Sequence, residues 1–156
     1  METHALSSEI LALIPHGPGF RFIDRITEVS ENHIVGQYTF DVNAPFYPHH
    51  FPGNPVTPGV ILIETMAQTA VVAHGIFLLI STLANQPTEN PKDYLTMFTE
   101  CNAEFHKEVP PGETVTVRGE RIYWRLKKLR SKASLYLSNG ELAATATLSG
   151  IGVKRQ

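Results

Sequence analysis

The sequence predicts an α+β fold in which one antiparallel sheet wraps a single long apolar helix. Three observations predict it. The run from Val60 to Ile80 is apolar almost all round, so as a helix it requires cover on most of its faces. Segments of strand-like composition stand on both sides of it, two before and four after. Polar turns join most of these segments, and a sheet wrapped around the helix gives both elements the cover they need.

In chain order, Ser7 precedes a short helical pattern from Glu9 to Ile14, which Pro15 stops. Arg21 to Val29 and His33 to Phe40 read as strands, separated by the polar turn Ser30-Glu31-Asn32. Asp41 to Pro58 is a loop holding five of the eleven prolines, Pro45, Pro48, Pro52, Pro55 and Pro58. Proline fixes φ and cannot feed a sheet ladder, so this loop should be rigid and shaped. Thr57-Pro58-Gly59 reads as a helix start, with Thr57 as N-cap and Pro58 at the first helical position. The helix ends before the polar stretch Asn85 to Pro91. Three strands are expected next, Tyr94 to His106, Thr114 to Leu126 and Leu129 to Ser138. Asn139-Gly140 is a two-residue hairpin signal leading into a last strand, Glu141 to Val153.

Residues 1–156 fit one domain by length, and the chain shows no repeat or linker. A composition 42% hydrophobic and 18% charged is that of a soluble globular protein, and a net charge of −2 does not support nucleic-acid binding. The one cysteine, Cys101, allows no internal disulfide and fits a cytoplasmic setting. The N-terminal residues lack a basic region leading into an apolar run, so no signal peptide is expected. The Val60 to Ile80 run approaches the length of a membrane span, but Glu64, Gln68 and His74 lie inside it. Burying these in lipid is costly, so the helix is expected to be enclosed by protein.

The chemistry concentrates between Pro48 and Gln68. His50 sits on the proline-stiffened loop, and imidazole titrates near neutrality, which suits a general base. Glu64 falls in the second turn of the helix, inside Ile61-Leu-Ile-Glu-Thr-Met-Ala67. Desolvation there opposes its charged form, while the nearby helix N-terminus favours it. The amides of Gly59 and Val60 have no intrahelical acceptor and suit a thioester oxygen gaining negative charge, and Gly59 would let a ligand approach the backbone. Gln68, one turn after Glu64 on the same face, is placed to orient the carboxylate or to pack as a core polar group. On residue types alone, a histidine in a proline-rich loop is ordinarily structural or solvated, whereas a carboxylate in an apolar helix is costly without a purpose.

The string His50-Phe-Pro-Gly-Asn-Pro-x-x-Pro-Gly-Val-x-x-x-Glu64-x-Met-Ala-Gln68 resembles the signature of the bacterial β-hydroxyacyl-acyl carrier protein dehydratases of the FabZ type. The family's catalytic histidine matches His50 and its carboxylate matches Glu64. The related dehydratase–isomerases carry Asp at the second position, so Glu64 favours the simple dehydratases. Leu13-Ile-Pro-His16, Phe22-Ile-Asp-Arg25, Phe105 to Gly112 and Gly140-Glu-Leu-Ala-Ala144 resemble further family strings. The resemblance implies the hot-dog fold and removal of water from a (3R)-3-hydroxyacyl chain to give a trans-2-enoyl thioester, with no cofactor. It implies acyl carrier protein, bearing the acyl-phosphopantetheine substrate, as partner. It also implies a homodimer, or a trimer of such dimers, in which His50 of one subunit faces Glu64 of the other. Phe51, Pro58 and Met66 are candidates for the tunnel lining. Two positions depart from the family pattern: His49 stands where Gly is usual, and Glu104 where a basic residue is usual. They bear on substrate identity, so polyene or pigment synthesis stands beside fatty-acid elongation.

Arg121, Arg125, Lys127, Lys128, Arg130 and Lys132 fall in a stretch with no acidic residue between Glu120 and Glu141. This is either a carrier-docking surface or a solvated hairpin. A metal held by His49 and His50 with His74 or His106 is not expected, because the spacing is not of the HExxH type and no second cysteine is present. Cys101 lacks a nucleophile signature. The rival readings are a hot-dog thioesterase, which releases the carrier thiol, and a dehydratase-like subunit supporting a catalytic partner.

Overall fold

The computed structural model describes residues 2–156. Six strands form one antiparallel sheet: β1 (Arg25–Val29), β2 (His33–Thr39), β3 (Tyr94–Phe105), β4 (Thr114–Arg125), β5 (Lys128–Tyr136) and β6 (Leu142–Lys154). Their spatial order is β1-β2-β4-β5-β6-β3, which leaves the twelve-residue β3 on an edge. The sheet curls around the central helix, Gly59–Leu83, long and apolar enough to cross a bilayer but covered here by the sheet and by α1 (Glu2–Leu13). This is the hot-dog arrangement.

The central helix is not uniform. Its ends are α-helical, α2 (Gly59–Ala67) and α3 (His74–Leu83), and Gln68–Ala73 is wound as a π-helix. The wider turn rests where three strands carry glycine. Cβ atoms added at Gly36, Gly119 and Gly150 would lie 2.9 Å from Thr69, 2.7 Å from Ala70 and 2.6 Å from Val71. Ser131 Oγ donates to the Ala70 carbonyl at 3.2 Å, satisfying a backbone group of that turn. One apolar cluster, including Phe40, Leu62, Met66, Val115, Leu135 and Leu148, packs beneath the first half of the helix. A second joins Ile10 and Ile14 at the α1 end to Ile23, Ile34 and Ile76.

Local details correct several expectations. Helix α1 runs from Glu2, so Ser7 is buried within it and does not precede it. Leu6, Ile10, Leu13 and Ile14 form one stripe in the second cluster, and this packing extends the helix. Strand β1 begins at Arg25 and not at Arg21, because the Phe22 amide is claimed by the Gln68 side chain at 2.6 Å. The central helix begins at Gly59, with Pro58 as its extended cap residue. Thr57 does not cap it, because its hydroxyl is buried against Tyr47 Oη at 2.6 Å. The Asn139-Gly140 hairpin has a three-residue loop, Ser138 to Gly140, in place of the expected two-residue one. Its closing bonds run from Leu137 N to Glu141 O and from Gly140 N to Leu137 O, and only Gly140 takes a positive φ, +87°. The two-residue turn is Leu126-Lys127, with φ of 52° and 59°. Tertiary contacts impose it: Gly152 N donates to Lys127 O at 2.8 Å, and the Lys127 ammonium lies over the Tyr94 ring.

His74, fully buried at the start of α3, ties the helix to the β1–β2 turn. Its Nε2 is 2.8 Å from the Ser30 carbonyl, which can only accept, so the proton is on Nε2, and Nδ1 is buried without a partner among the described residues. Burial pushes this imidazole below its ordinary value, with Arg121 and His33 acting in the same direction and the Ser30 bond against it. The folded chain therefore resists a proton that the unfolded chain accepts, so stability is fully present above about pH 6.5 and is lost as pH falls below it. Denaturant titrations from pH 8 to pH 5 should show the stability advantage of the native chain over His74→Gln shrinking, by at most about 1.4 kcal/mol per pH unit. A constant difference across that range would contradict this account.

Candidate active site

The loop from Phe46 to Thr57 is a cage of short-range hydrogen bonds. His50 N donates to Phe46 O, Phe51 and Asn54 exchange bonds, and Val56 N donates to His50 O at 2.9 Å. Thr57 N donates to Val109 O, which anchors the loop to the segment after β3. The His50–Phe51 peptide is cis. His50 Nδ1 lies 2.9 Å from the Val56 carbonyl. A carbonyl only accepts, so Nδ1 carries a proton, and in the neutral tautomer this sets, the lone pair is on Nε2. The imidazole stacks on Phe51, with centroids 4.1 Å apart.

His50 lines a cavity of about 320 Å³ with Val56, Gly59, Leu62, Phe105 and Val109. In the first helical turn, Ile61 and Leu62 are the first donors, both to Pro58 O. The Gly59 and Val60 amides precede them and lie at the positive end of the helix dipole. The space beside Gly59 is filled by the chain's own Phe105 ring, 3.1 Å from where a Cβ would stand. That glycine therefore admits Phe105, whereas the expectation was a ligand. Val60 is exposed.

Glu64 opens into a different cavity, of about 210 Å³, with His16, Phe20, Ala67, Val71, Val72, Thr96 and Phe98. The two cavities share no lining residue, and β3 runs from Phe98 beside one to Phe105 beside the other. Glu64 Oε1 accepts from Gln68 Nε2 at 2.9 Å and stands 3.5 Å from His16 Nε2. Gln68 is wholly buried; its Nε2 also donates to Phe20 O, and its Oε1 accepts from Phe22 N. One side chain thus joins the helix, the Glu64 carboxyl and the segment after α1. Gln68 is a buried polar group of the core that also bonds the carboxylate.

Other candidates fall apart from these groups. Met66 is fully buried and lines neither cavity, because it belongs to the apolar cluster that includes Phe40 and Val115. Pro58 is buried as the cap residue. Phe51 is exposed and borders a separate depression with Val42, Ala44, Tyr47 and Pro48. His106 lies beside His50, whereas His74 is engaged at Ser30; among the described residues no three His, Cys, Asp or Glu side chains converge as a metal site. Cys101 is exposed on β3. The sequence reading missed His16 as a neighbour of Glu64; its one signal was membership of the Leu-Ile-Pro-His string.

The FabA-like domain family matches residues 14–146. A 3-hydroxyacyl-[acyl-carrier-protein] dehydratase FabZ of Acetivibrio thermocellus is 37% identical over 138 residues, covering 87% of this chain and 86% of that protein. The enzyme of the same name from Nitratidesulfovibrio vulgaris is 35% identical over 150 residues, covering 95% and 91%. Among solved structures, the dehydratase heterocomplex ApeI:P of Xenorhabdus doucetiae superposes with a TM-score of 0.76 at 18% identity, covering 93% of this chain and 91% of that one. A hypothetical thioesterase of Streptococcus pneumoniae with coenzyme A superposes with 0.57 at 13% identity, covering 84% and 86%. The last two likenesses are of fold.

Replacing Gln68 by Leu keeps the volume but leaves the Phe22 amide and the Phe20 carbonyl without partners. Each such loss costs about 1–3 kcal/mol, so Gln68→Leu should lower unfolding stability by about 3 kcal/mol in a denaturant titration. A loss under about 1 kcal/mol would show that water or backbone movement replaces the bonds.

Proposed function

The chain belongs to the FabA-like domain family and, within it, to the FabZ-type 3-hydroxyacyl-[acyl-carrier-protein] dehydratases, and from that premise we propose that it dehydrates (3R)-3-hydroxyacyl thioesters on acyl carrier protein, with His50 as base and Glu64 as acid. The observation that carries the assignment of roles is the Nδ1–H bond to Val56 O, which in the neutral tautomer puts the basic lone pair on Nε2 of a residue that lines the cavity beside Gly59 at the helix start. His50 Nε2 takes a proton from C2, and the electrons of that C–H bond become the C2=C3 double bond. The C3–O bond breaks as Glu64 gives its proton to the leaving hydroxyl, and water departs. Negative charge that develops on the thioester oxygen is held by the Gly59 and Val60 amides. The proton gained by His50 returns to Glu64 through solvent, so the enzyme is unchanged over a cycle.

The pair works between two copies of the chain in this reading. Within one chain His50 and Glu64 open into separate cavities. Met97, Phe98 and Phe105 are exposed on the unpaired edge of β3, a combination that calls for cover. Antiparallel pairing of two β3 edges about a two-fold axis sets the Phe98 side of one copy toward the Phe105 side of the other. It also brings the Tyr94 end, with the β4–β5 hairpin over it, toward the partner's His50 end. Beside the hairpin turn Arg125 stands directly opposite Lys128, a like-charge pair that costs stability. Arg130 is engaged with Glu100 at 2.7 Å and Arg121 with Asn32. Arg125, Lys128 and the exposed Lys132, with the apolar Ile122 and Leu126, form the surface that receives the acidic carrier protein.

Assayed for hydration and dehydration on carrier-bound chains of several lengths, His50→Ala and Glu64→Gln should each lower kcat by at least about 100-fold. Mixing the two variants under exchange should restore activity to about a quarter of wild type, since half the dimers are mixed and each holds one intact site. Turnover within a few-fold of wild type in both variants would overturn the mechanism, and no recovery on mixing would overturn the shared site. Release of free carrier thiol would point to hydrolysis instead.

Reversing Arg125 and Lys128 to Glu should raise the apparent KM for the carrier-bound substrate by about ten-fold and leave a short thioester mimic unaffected. Equal loss on both substrates would sink the docking assignment.

A further inference from the structure

We propose that His16 is a positioning residue for this reaction, holding the Glu64 carboxyl through Oε1 so that the proton it delivers sits on Oε2; the inference rests on the acid role assigned to Glu64 above. Two nitrogens converge on Oε1, Gln68 Nε2 at 2.9 Å and His16 Nε2 at 3.5 Å. Among the described residues no protein group bonds Oε2. The His16 separation exceeds an ordinary hydrogen bond. Bonds of this kind in unliganded sites are commonly long and tighten when substrate arrives.

The ring is held for that purpose. Pro15 stops α1 just before it, Phe20 stacks on it with centroids 6.4 Å apart, and the Phe20 carbonyl is bonded to Gln68. Among the described residues His16 Nδ1 is buried without a protein partner, and Nε2 is the one polar atom the ring directs at another group. A carboxyl oxygen offers two lone-pair sites. With both on Oε1 taken by N–H donors once the His16 contact tightens, the acid proton of Glu64 resides on Oε2. In the reaction the Oε2–H bond breaks, a new O–H bond forms on the departing hydroxyl, and the C3–O bond breaks. The charge left on the carboxylate is then met by the same two donors. Without His16, Oε1 keeps one donor and the carboxyl turns to present either oxygen.

Four single variants, three at His16 and one at Glu64, and one double variant test this by steady-state kinetics and thermal melting. His16→Ala should lower kcat by about 30-fold while KM stays within about two-fold, the pattern of an interaction realised in the transition state. In His16→Gln the side-chain amide nitrogen stands where Nε2 stood, and kcat should recover to within about five-fold of wild type. In His16→Asn the amide reaches only the Nδ1 position, and kcat should stay as low as in the alanine variant. Adding His16→Ala to Glu64→Gln should cost nothing further. If Glu64→Gln keeps wild-type turnover, the acid assignment itself fails. If Glu64→Gln is inactive while His16→Ala keeps its kcat, or while Gln and Asn restore activity equally, only the role of His16 is overturned. The Gln and Asn variants differ by one methylene, so their comparison decides the matter even if the alanine variant melts early.

Discussion

The seating of the wide turn of the central helix against the sheet is the constraint on which the rest of the structure depends. Residues Gln68–Ala73 bulge toward β2, β4 and β6, and these strands carry Gly36, Gly119 and Gly150 where the helix comes closest. A side chain at Gly119 would meet the backbone of Ala70 at 2.8 Å, so the approach tolerates nothing larger than hydrogen there. An extra residue in one turn also rotates everything after it by about 100° relative to everything before. The first half of the helix thereby presents Glu64 to the cavity beside Phe98, and the second half presents His74 to the β1–β2 turn. A regular helix would set these two polar groups on a different relative heading, and one of them would be buried without its partner.

Enclosing so apolar a helix carries a second consequence. Any polar side chain within it must be satisfied by protein, because water is excluded. Gln68 meets this demand with backbone groups of Phe20 and Phe22, which draws residues 16–22 across the helix and closes one side of the Glu64 cavity. The same stretch brings in His16 and denies β1 its first residues. Strand boundary, cavity wall and carboxylate environment are therefore one structural fact. A change at Gln68 acts on all three, which is why its effects on stability and on the acid are coupled.

Much of this was legible in the sequence. The helix and strand count followed from the apolar run at Val60 to Ile80 and from period and turn signals. Glu64 and Gln68 stood out because a carboxylate and an amide in an apolar helix demand a reason, whereas His50 stood out through the long motif that joins it to Glu64. What escaped the reading was set by contacts distant in the chain. Nothing near Gln68 foretells a π turn; the signal was three glycines spread over β2, β4 and β6. Leu126-Lys127 lacks the residues that favour positive φ, and only its contacts with Gly152 and Tyr94 impose that conformation. Thr57 fits the N-cap preference, yet Tyr47 claims its hydroxyl from ten residues away. Local propensity yields in each case where a buried polar atom or a close approach has a tertiary partner.

The sheet that encloses the helix also leaves the site open. The sheet ends at β3, whose outer edge has no partner strand among the described residues and whose exposed residues include Met97, Phe98, Phe105 and Cys101. The cavities of His50 and Glu64 flank this bare edge at separate points along it. A loop held by its own hydrogen bonds cannot swing His50 along a strand to meet Glu64. Nor can Glu64 move while Gln68 is fixed at both ends. Two rigidly built half-sites beside one unpaired edge are completed most economically by a second edge of the same kind, which covers the apolar side chains and supplies to each half-site the group it lacks. Rigidity within the chain and assembly between chains are thus two sides of one requirement, that the acid and the base be held in place before substrate arrives.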